Sequence, residues 1–426
     1  MPDARRLPAM QSDPEPEAGV LAITNARVFV AGEVTSPTSV LLDNGRIRQL
    51  GGEVPVGVSL IDAEGRTALP GLIDAHAHIS MLALPEPLKG VEPLRPGAAA
   101  HVLAESLRRA LRMGITTIRD VGAHGEVLFE LRQAMRLGAF IGPRLFLCGR
   151  IVSATAPGDR FFPEMYRLAD GADDMRRAAR EQIRAGADFV KIMSTGARSV
   201  ELEDPKPAQV TREEMRALVD EVHRQGYRVA AHCEGLAGTA LAIEEGADTI
   251  EHGMHLHERP DLLELLAHRG GVLVPTLSFL HDVAESGQWT ELLVRQGALN
   301  VEAADQTLKA ARTAGVPLAM GYDSHEVWRS AHELVRMVEH GLAPAEALTA
   351  ATFGGAMALG IENEVGSIEL GRLADLVLVD GDPLEDPSIL TDRQRIWLVL
   401  KSGRAVAGAA LDPPTRGGAL QREHPR

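Results

Sequence analysis

Between Thr67 and Leu359 the chain alternates short apolar runs with longer stretches rich in Ala, Arg and Glu. The runs cover residues 68–78, 116–121, 144–148, 189–193, 228–232, 249–252, 272–276 and 318–323. Each has the length of a strand, and helix-like sequence separates it from the next. Parallel strands need crossovers of this kind, because a tight hairpin cannot join them. Eight such units predict a (β/α)8 TIM barrel. One crossover helix reads clearly. Thr211 and Glu214 have capping-box spacing, Met215, Leu218, Val219 and Val222 make one apolar stripe, and Gly226 stands where a helix-ending glycine belongs.

The flanks have a different texture. From Val20 the runs 21–24, 27–30, 39–42 and 46–50 are short and broken by turn residues, with Asp43-Asn44-Gly45 as a hairpin signal. After a helix expected over Ala343–Leu359, the runs 366–369, 374–379, 396–401 and 404–406 look alike. Either flank alone, at about 50 residues, would be marginal. The expectation is a composite β-sandwich of residues 20–66 and 362–407, with the barrel, residues 67–361, inserted between its halves. Residues 1–19 are polar and Pro-rich and read as a disordered arm; residues 408–426 read as a flexible tail.

Composition removes several classes of function. The 426-residue chain has a formal net charge of −15, which argues against nucleic acid or an anionic membrane as partner. No run of about 18 apolar residues suggests a membrane span. Cys148 and Cys233 are too few for a disulfide framework and suit a reducing compartment. The first residues lack the apolar core of a signal peptide, so the expected location is cytoplasmic.

Active sites of such barrels lie at the C-terminal ends of the strands. The first strand ends in His76-Ala77-His78, and alternation puts both imidazoles on one face, where they can share a metal ion. The fourth, fifth, sixth and eighth runs carry Lys191, His232, His252 and Asp323. Each follows apolar neighbours, and an unpaired ionisable group at the edge of a core is costly. Singly, each has a plainer reading: a hydrogen-bonded histidine, a salt-bridged lysine, an aspartate capping a helix. Together they favour one metal centre as the common partner.

Four stretches carry a family resemblance: Pro70-Gly71-Leu72-Ile73-Asp74-Ala75-His76-Ala77-His78, Gly186-Ala187-Asp188-Phe189-Val190-Lys191-Ile192, Thr249-Ile250-Glu251-His252-Gly253, and Gly371 through Val379. From Val20 to Ala407 the chain resembles the amidohydrolase superfamily, in its imidazolonepropionase-like and prolidase-like (Xaa-Pro or Xaa-Arg/Lys dipeptidase-type) branch. The resemblance implies two divalent metal ions, expected to be Zn2+. His76 and His78 would hold the first with Asp323, His232 and His252 the second, and Lys191, carboxylated by CO2, would bridge them. Asp323 would then act as general base and acid. The implied substrate is a small-molecule amide, such as a dipeptide or N-acyl amino acid, or a xenobiotic amide of the ochratoxin type or a carbamate. The alternatives are a cyclic amidohydrolase or deaminase of the same superfamily, and, from a different class, a non-catalytic binding or scaffold protein with this fold. Retention of all six ligands argues against the last. A homo-oligomer is expected.

The chain departs from the family pattern at Gly321-Tyr322-Asp323, where Gly-Thr-Asp is common, and at residues 153–159, where many members carry Gly-Gly-His-Gly. Candidate substrate contacts are His255 and His257 after the sixth strand, Tyr322 beside Asp323, and Arg198 and Lys206 after the fourth strand, as cations for a substrate carboxylate. Arg119-Asp120 reads as an internal ion pair.

Overall fold

The computed structural model describes residues 19–83, 94–162, 164–197, 200, 202–285 and 291–411, and its content is mixed α/β. Segments from both ends of the chain share one nine-stranded sheet. Arg404–Ala407, Ile396–Lys401, Leu376–Val379, Thr67–Pro70, Val20–Val30, Thr38–Asp43 and Arg46–Leu50 lie side by side in that order, and Glu33–Val34 and Ser59–Asp62 also pair with Val20–Val30. Ile23, Val40, Leu42, Leu376 and Leu398 are buried together on it. Asn44 and Gly45 have φ of 48° and 73°, as a two-residue hairpin turn requires. Val20–Val30 is one strand where two runs were expected. A bulge between Ile23 and Ala26, with Asn25 at φ 54°, interrupts both its pairing and its alternation.

The inner strands are β1 (Leu72–Ala77), β2 (Ile115–Asp120), β3 (Arg144–Leu147), β4 (Val190–Met193), β5 (Val229–Cys233), β6 (Thr249–His252) and β7 (Val272–Val274). They are buried along their length, which is why they read as continuous apolar runs. β1, β2 and β3 form one parallel sheet. β4 to β7 run parallel in a second, extended by Ile151–Ser153 and Tyr166–Leu168, which sequence reading did not anticipate. Between the two sheets the Asp188 N–H donates to Leu147 O at 2.8 Å. On the other side residues 318–323 run between β7 and β1: Ala319 N–H bonds Leu273 O (3.0 Å), Ala75 N–H bonds Met320 O (2.8 Å) and Asp323 N–H bonds His76 O (2.8 Å).

Three expectations need correction. The run 68–78 is two strands, because Thr67–Pro70 pairs with Leu376–Val379 in the outer sheet and only β1 belongs to the inner set. The break is Gly71, where a Cβ would lie 2.1 Å from Thr116 Oγ1, so the chain crosses between sheets where only glycine fits. Residues 318–323 make a single bridge, Leu273 to Leu318, in place of a ladder. Part of their backbone bonding goes to a side chain, since Asp74 Oδ1 accepts the Tyr322 N–H (3.2 Å). Residues 366–369 turn at Gly366 (φ 92°), which packs against Thr352, Phe353 and Ala356, and form no strand.

The helix expected over Ala343–Leu359 is Pro344–Thr349 and Gly355–Leu359 joined by a π turn, Ala350–Gly354, whose Ala350 carbonyl accepts the Met320 N–H (3.0 Å). Helix Arg212–Arg224 has its capping box, Thr211 with Glu214, and Gly226 follows at φ 82°. Inner and outer strands are joined by a buried ion pair, Arg144 to Asp375 at 2.7 Å. Among the described residues no helix is long and apolar enough to cross a membrane. The arm over 1–19 and the tail over 408–426 lie outside the described residues, apart from Gly19 and residues 408–411, where Ala409–Leu411 forms a 3-10 turn.

Candidate metal centre

His76, His252 and Asp323 offer three ligand atoms that all lie within 4.8 Å of one another. His76 Nε2 is 3.3 Å and His78 Nε2 is 3.4 Å from Asp323 Oδ1. His252 Nδ1 is 3.9 Å from Asp323 Oδ2, and His252 Nε2 is 2.9 Å from His232 Nδ1. Five of the six residues marked in the sequence thus form one connected cluster. The sixth, Lys191 on β4, is 2% exposed and feels the charges of Glu251 and Asp323, yet its ammonium makes no hydrogen bond or salt bridge to another described residue.

The cluster is assembled by two backbone devices. His76 and His78 share a face by simple alternation along β1 and past its end. His252 and Asp323 do not follow alternation. Their φ values are 67° and 54°, and Thr276 at the end of β7 has φ 52°. Left-handed backbone is unfavourable for residues with a Cβ and concentrates at functional sites. At His252 it lets consecutive residues serve one cluster: Glu251 reaches His76, and His252 reaches Asp323.

Burial sets the electrostatics. It pushes His78 down to about 4 and His232 down to about 3, so both rings are neutral and hold a free lone pair at neutral pH. Burial and Lys191 oppose charge on His76, but Asp323 and Glu251 outweigh them and raise it. Burial would lift Asp323, yet His76, His78 and Lys191 hold it below the usual carboxylate range. Burial lowers Lys191, which favours the neutral amine. These groups fit a metal centre. Imidazoles and a carboxylate converge, and His232, whose Nε2 faces the Gly196 carbonyl (3.3 Å), turns an acceptor Nδ1 to within 2.9 Å of His252 Nε2.

Sequence reading missed Glu251. It is fully buried, its Oε2 lies 2.7 Å from His76 Nδ1, and its Oε1 accepts from Arg119 (2.8 Å) and Thr249 (2.5 Å). Burial would raise its pKa, but Arg119 and His76 hold it well below the usual range. The carboxylate fixes a hydrogen on His76 Nδ1 and leaves Nε2 free toward Asp323. The ion pair expected between Arg119 and Asp120 is therefore corrected: the partner of Arg119 is Glu251, across the strands. Asp120 instead accepts the Ile79 and Gly122 N–H groups, and burial pushes it up to about 8. Asp74, also missed, accepts from His76 N–H, Tyr322 N–H and Ser330 Oγ and so ties β1 to the Asp323 segment.

The candidate substrate contacts fall elsewhere. His255 bonds Glu258 (2.9 Å) and His257 bonds Thr307 (3.1 Å), so both are engaged beside the 3-10 turn Leu256–Glu258. Tyr322 is buried, with the Arg329 guanidinium 6.0 Å from its ring centroid. Lys206 lies in a loop whose backbone packs on Gly235. Arg198 lies outside the described residues.

Residues 67–406 match the amidohydrolase family. The chain is 30% identical to ochratoxinase from Aspergillus niger over 384 residues, 81% of this chain and 76% of that protein. It is 24% identical over 399 residues to imidazolonepropionase from Kosmotoga olearia, 86% of this chain and 90% of that protein. Its structure is similar to the crystal structure of a Xaa-Pro dipeptidase with methionine bound in the active site, with a TM-score of 0.82 and 28% identity over 91% of this chain and 100% of that one. The chain belongs to the amidohydrolase family and is a hydrolase acting on carbon–nitrogen bonds.

Proposed function

We propose that the protein is a binuclear metal-dependent amidohydrolase that cleaves the amide bond of an N-acyl amino acid or dipeptide, a class that includes ochratoxin-type amides. The convergence of His76, His252 and Asp323 within 4.8 Å, with His78 and His232 alongside and a buried Lys191 that feels the charge of Asp323, carries this reading. The 30% identity to an ochratoxinase and the likeness to a dipeptidase that holds an amino acid support the substrate class. His76, His78 and Asp323 would hold one ion, His232 and His252 the other, and Lys191 would bridge them as its carbamate. An ammonium cannot ligate a cation; the carbamate formed from the neutral amine and CO2 can. Two such ions, when bound, would lower the pKa of water in the site toward about 7 and polarise the scissile carbonyl. Asp323 takes the proton from the attacking water and delivers it to the leaving amine. Glu251 holds His76 in the ligating tautomer, with Arg119 as counter-ion.

The inner strands and residues 318–323 are proposed to close as a (β/α)8 barrel over residues 67–361. The hydrogen bonds from Asp188 to Leu147 and from Asp323 to His76 support closure. Residues 20–66 and 362–407 would form the β-sandwich around it. The test pairs elemental analysis with a screen of dipeptides and N-acyl amino acids read by release of free amine. Two zinc equivalents with amine release are expected. A metal-free protein after growth in added zinc, or a metal-loaded one inactive on the whole panel, overturns the reading.

A further inference from the structure

Away from this centre, two imidazoles meet where helices Leu277–Glu285 and Ala331–Glu339 approach each other. His281 Nε2 lies 2.8 Å from His340 Nε2. The other nitrogen of each ring faces a carboxylate: His281 Nδ1 is 2.8 Å from Glu285 Oε1, and His340 Nδ1 is 3.1 Å from Asp305 Oδ1 on helix Glu291–Thr313. An ionised carboxylate only accepts, so each Nδ1 carries the hydrogen. A neutral imidazole has one N–H, so both Nε2 atoms present lone pairs, aimed at each other. Lone pairs this close repel unless a positive charge lies between them. A proton is one such charge. A metal ion is the other, and a carboxylate on the far nitrogen is the arrangement that orients ligating histidines. The carboxylates are themselves held, Glu285 by Arg336 (3.2 Å) and Asp305 by Lys309 (2.8 Å). The side chains of His281 and His340 are 12% and 17% exposed, so an ion can reach them from solvent.

We propose that His281 and His340 form a second, two-histidine site for a late divalent transition metal such as Zn2+. Imidazole nitrogen suits this class of ion, and water completes the coordination. Two Zn–N bonds of about 2.0 Å at a tetrahedral angle place the nitrogens about 3.3 Å apart, so the rings need to part by about half an ångström. The ion replaces the shared proton, which leaves to solvent. Bound there, it ties together helices Leu277–Glu285 and Ala331–Glu339, and through Asp305 helix Glu291–Thr313. The first of these begins next to Thr276, whose hydroxyl meets His252 at 2.7 Å, so the site braces an element adjoining the main centre.

The test counts zinc per chain by elemental analysis after equilibrium dialysis at stepped free zinc, for the wild type, His281→Gln and His340→Gln. The wild type is expected to bind one equivalent more than either variant, and its thermal midpoint to rise further with zinc. Equal equivalents in all three overturn the proposal. Should a histidine variant fail to fold, the double variant Glu285→Gln with Asp305→Asn keeps both ligands but removes their orienting carboxylates. Its affinity for the extra equivalent should fall about 10- to 100-fold, and an unchanged affinity overturns the proposal as well.

Discussion

Replacing Glu251 by glutamine removes one negative charge at the centre of the site with almost no change of shape. The glutamate serves three side chains, His76 through Oε2 (2.7 Å), and Arg119 (2.8 Å) and Thr249 (2.5 Å) through Oε1. Glutamine has one acceptor oxygen and one NH2. With the oxygen toward His76, the NH2 faces the Arg119 guanidinium, donor against donor, and a cation that is 2% exposed loses its anion. Breaking one side of a buried pair costs about 3–5 kcal/mol. With the amide reversed, His76 Nδ1 must accept, its hydrogen moves to Nε2, and the lone pair facing Asp323 is lost. Losing the carboxylate that orients a ligating histidine lowers metal affinity by about 10- to 100-fold. Chelator competition measures the affinity, and guanidinium unfolding followed by two probes measures the stability. The double variant Glu251→Gln with Arg119→Met separates the two effects. Without the stranded cation much of the stability should return, while metal affinity stays low. Wild-type affinity in Glu251→Gln would refute the orienting role. If affinity in the double variant recovers along with stability, the loss reflected unfolding alone.

Lys191→Ala should leave a folded protein that retains metal poorly, and a short carboxylic acid should restore part of the binding by supplying the missing bridge; full metal content without it, by elemental analysis, would remove Lys191 from the centre. Asp323→Asn keeps one acceptor oxygen but cannot carry the proton, so kcat should fall by about 100- to 10,000-fold with most metal retained. Kinetics on samples of known metal content check this, and near wild-type kcat would exclude Asp323 as the base. Glu333, fully buried and bonded to the Leu277 and Ser278 N–H groups, is pushed up to about 7 by burial. The unfolded chain ionises it near 4.5, so stability is unaffected below that pH and declines as pH rises toward 7, by up to about 3 kcal/mol. Glu333→Gln should flatten that part of the stability–pH curve, and an unchanged slope in urea unfolding would show that the group ionises freely in the fold.

What the sequence disclosed about this protein follows the range of its signals. Buried parallel strands are apolar throughout, so seven of the eight inner runs were legible, as was the capping box of Arg212–Arg224, because each is a matter of a few neighbouring residues. The limits appear where distant contacts override local pattern. Nothing local divides 68–78, since Gly71 is required by Thr116, a residue of β2. Alternation places His76 beside His78 but would send Glu251 and His252 to opposite faces; the left-handed backbone at His252 reconciles them, and tertiary packing maintains it. Glu251 escaped notice for a further reason. Its neighbour His252 has the appearance of a ligand, while Arg119, equally costly to bury, has Asp120 next to it in the chain as an apparent partner. In a strand, neighbours in sequence point to opposite faces, so the acid next to an inward-facing arginine in the chain cannot be the one that balances it. Each buried charge has to meet its opposite, and for Arg119 that opposite is Glu251, across the strands. The same requirement, applied to lone pairs, singles out His281 and His340, which lie 59 positions apart in the chain and belong to no motif.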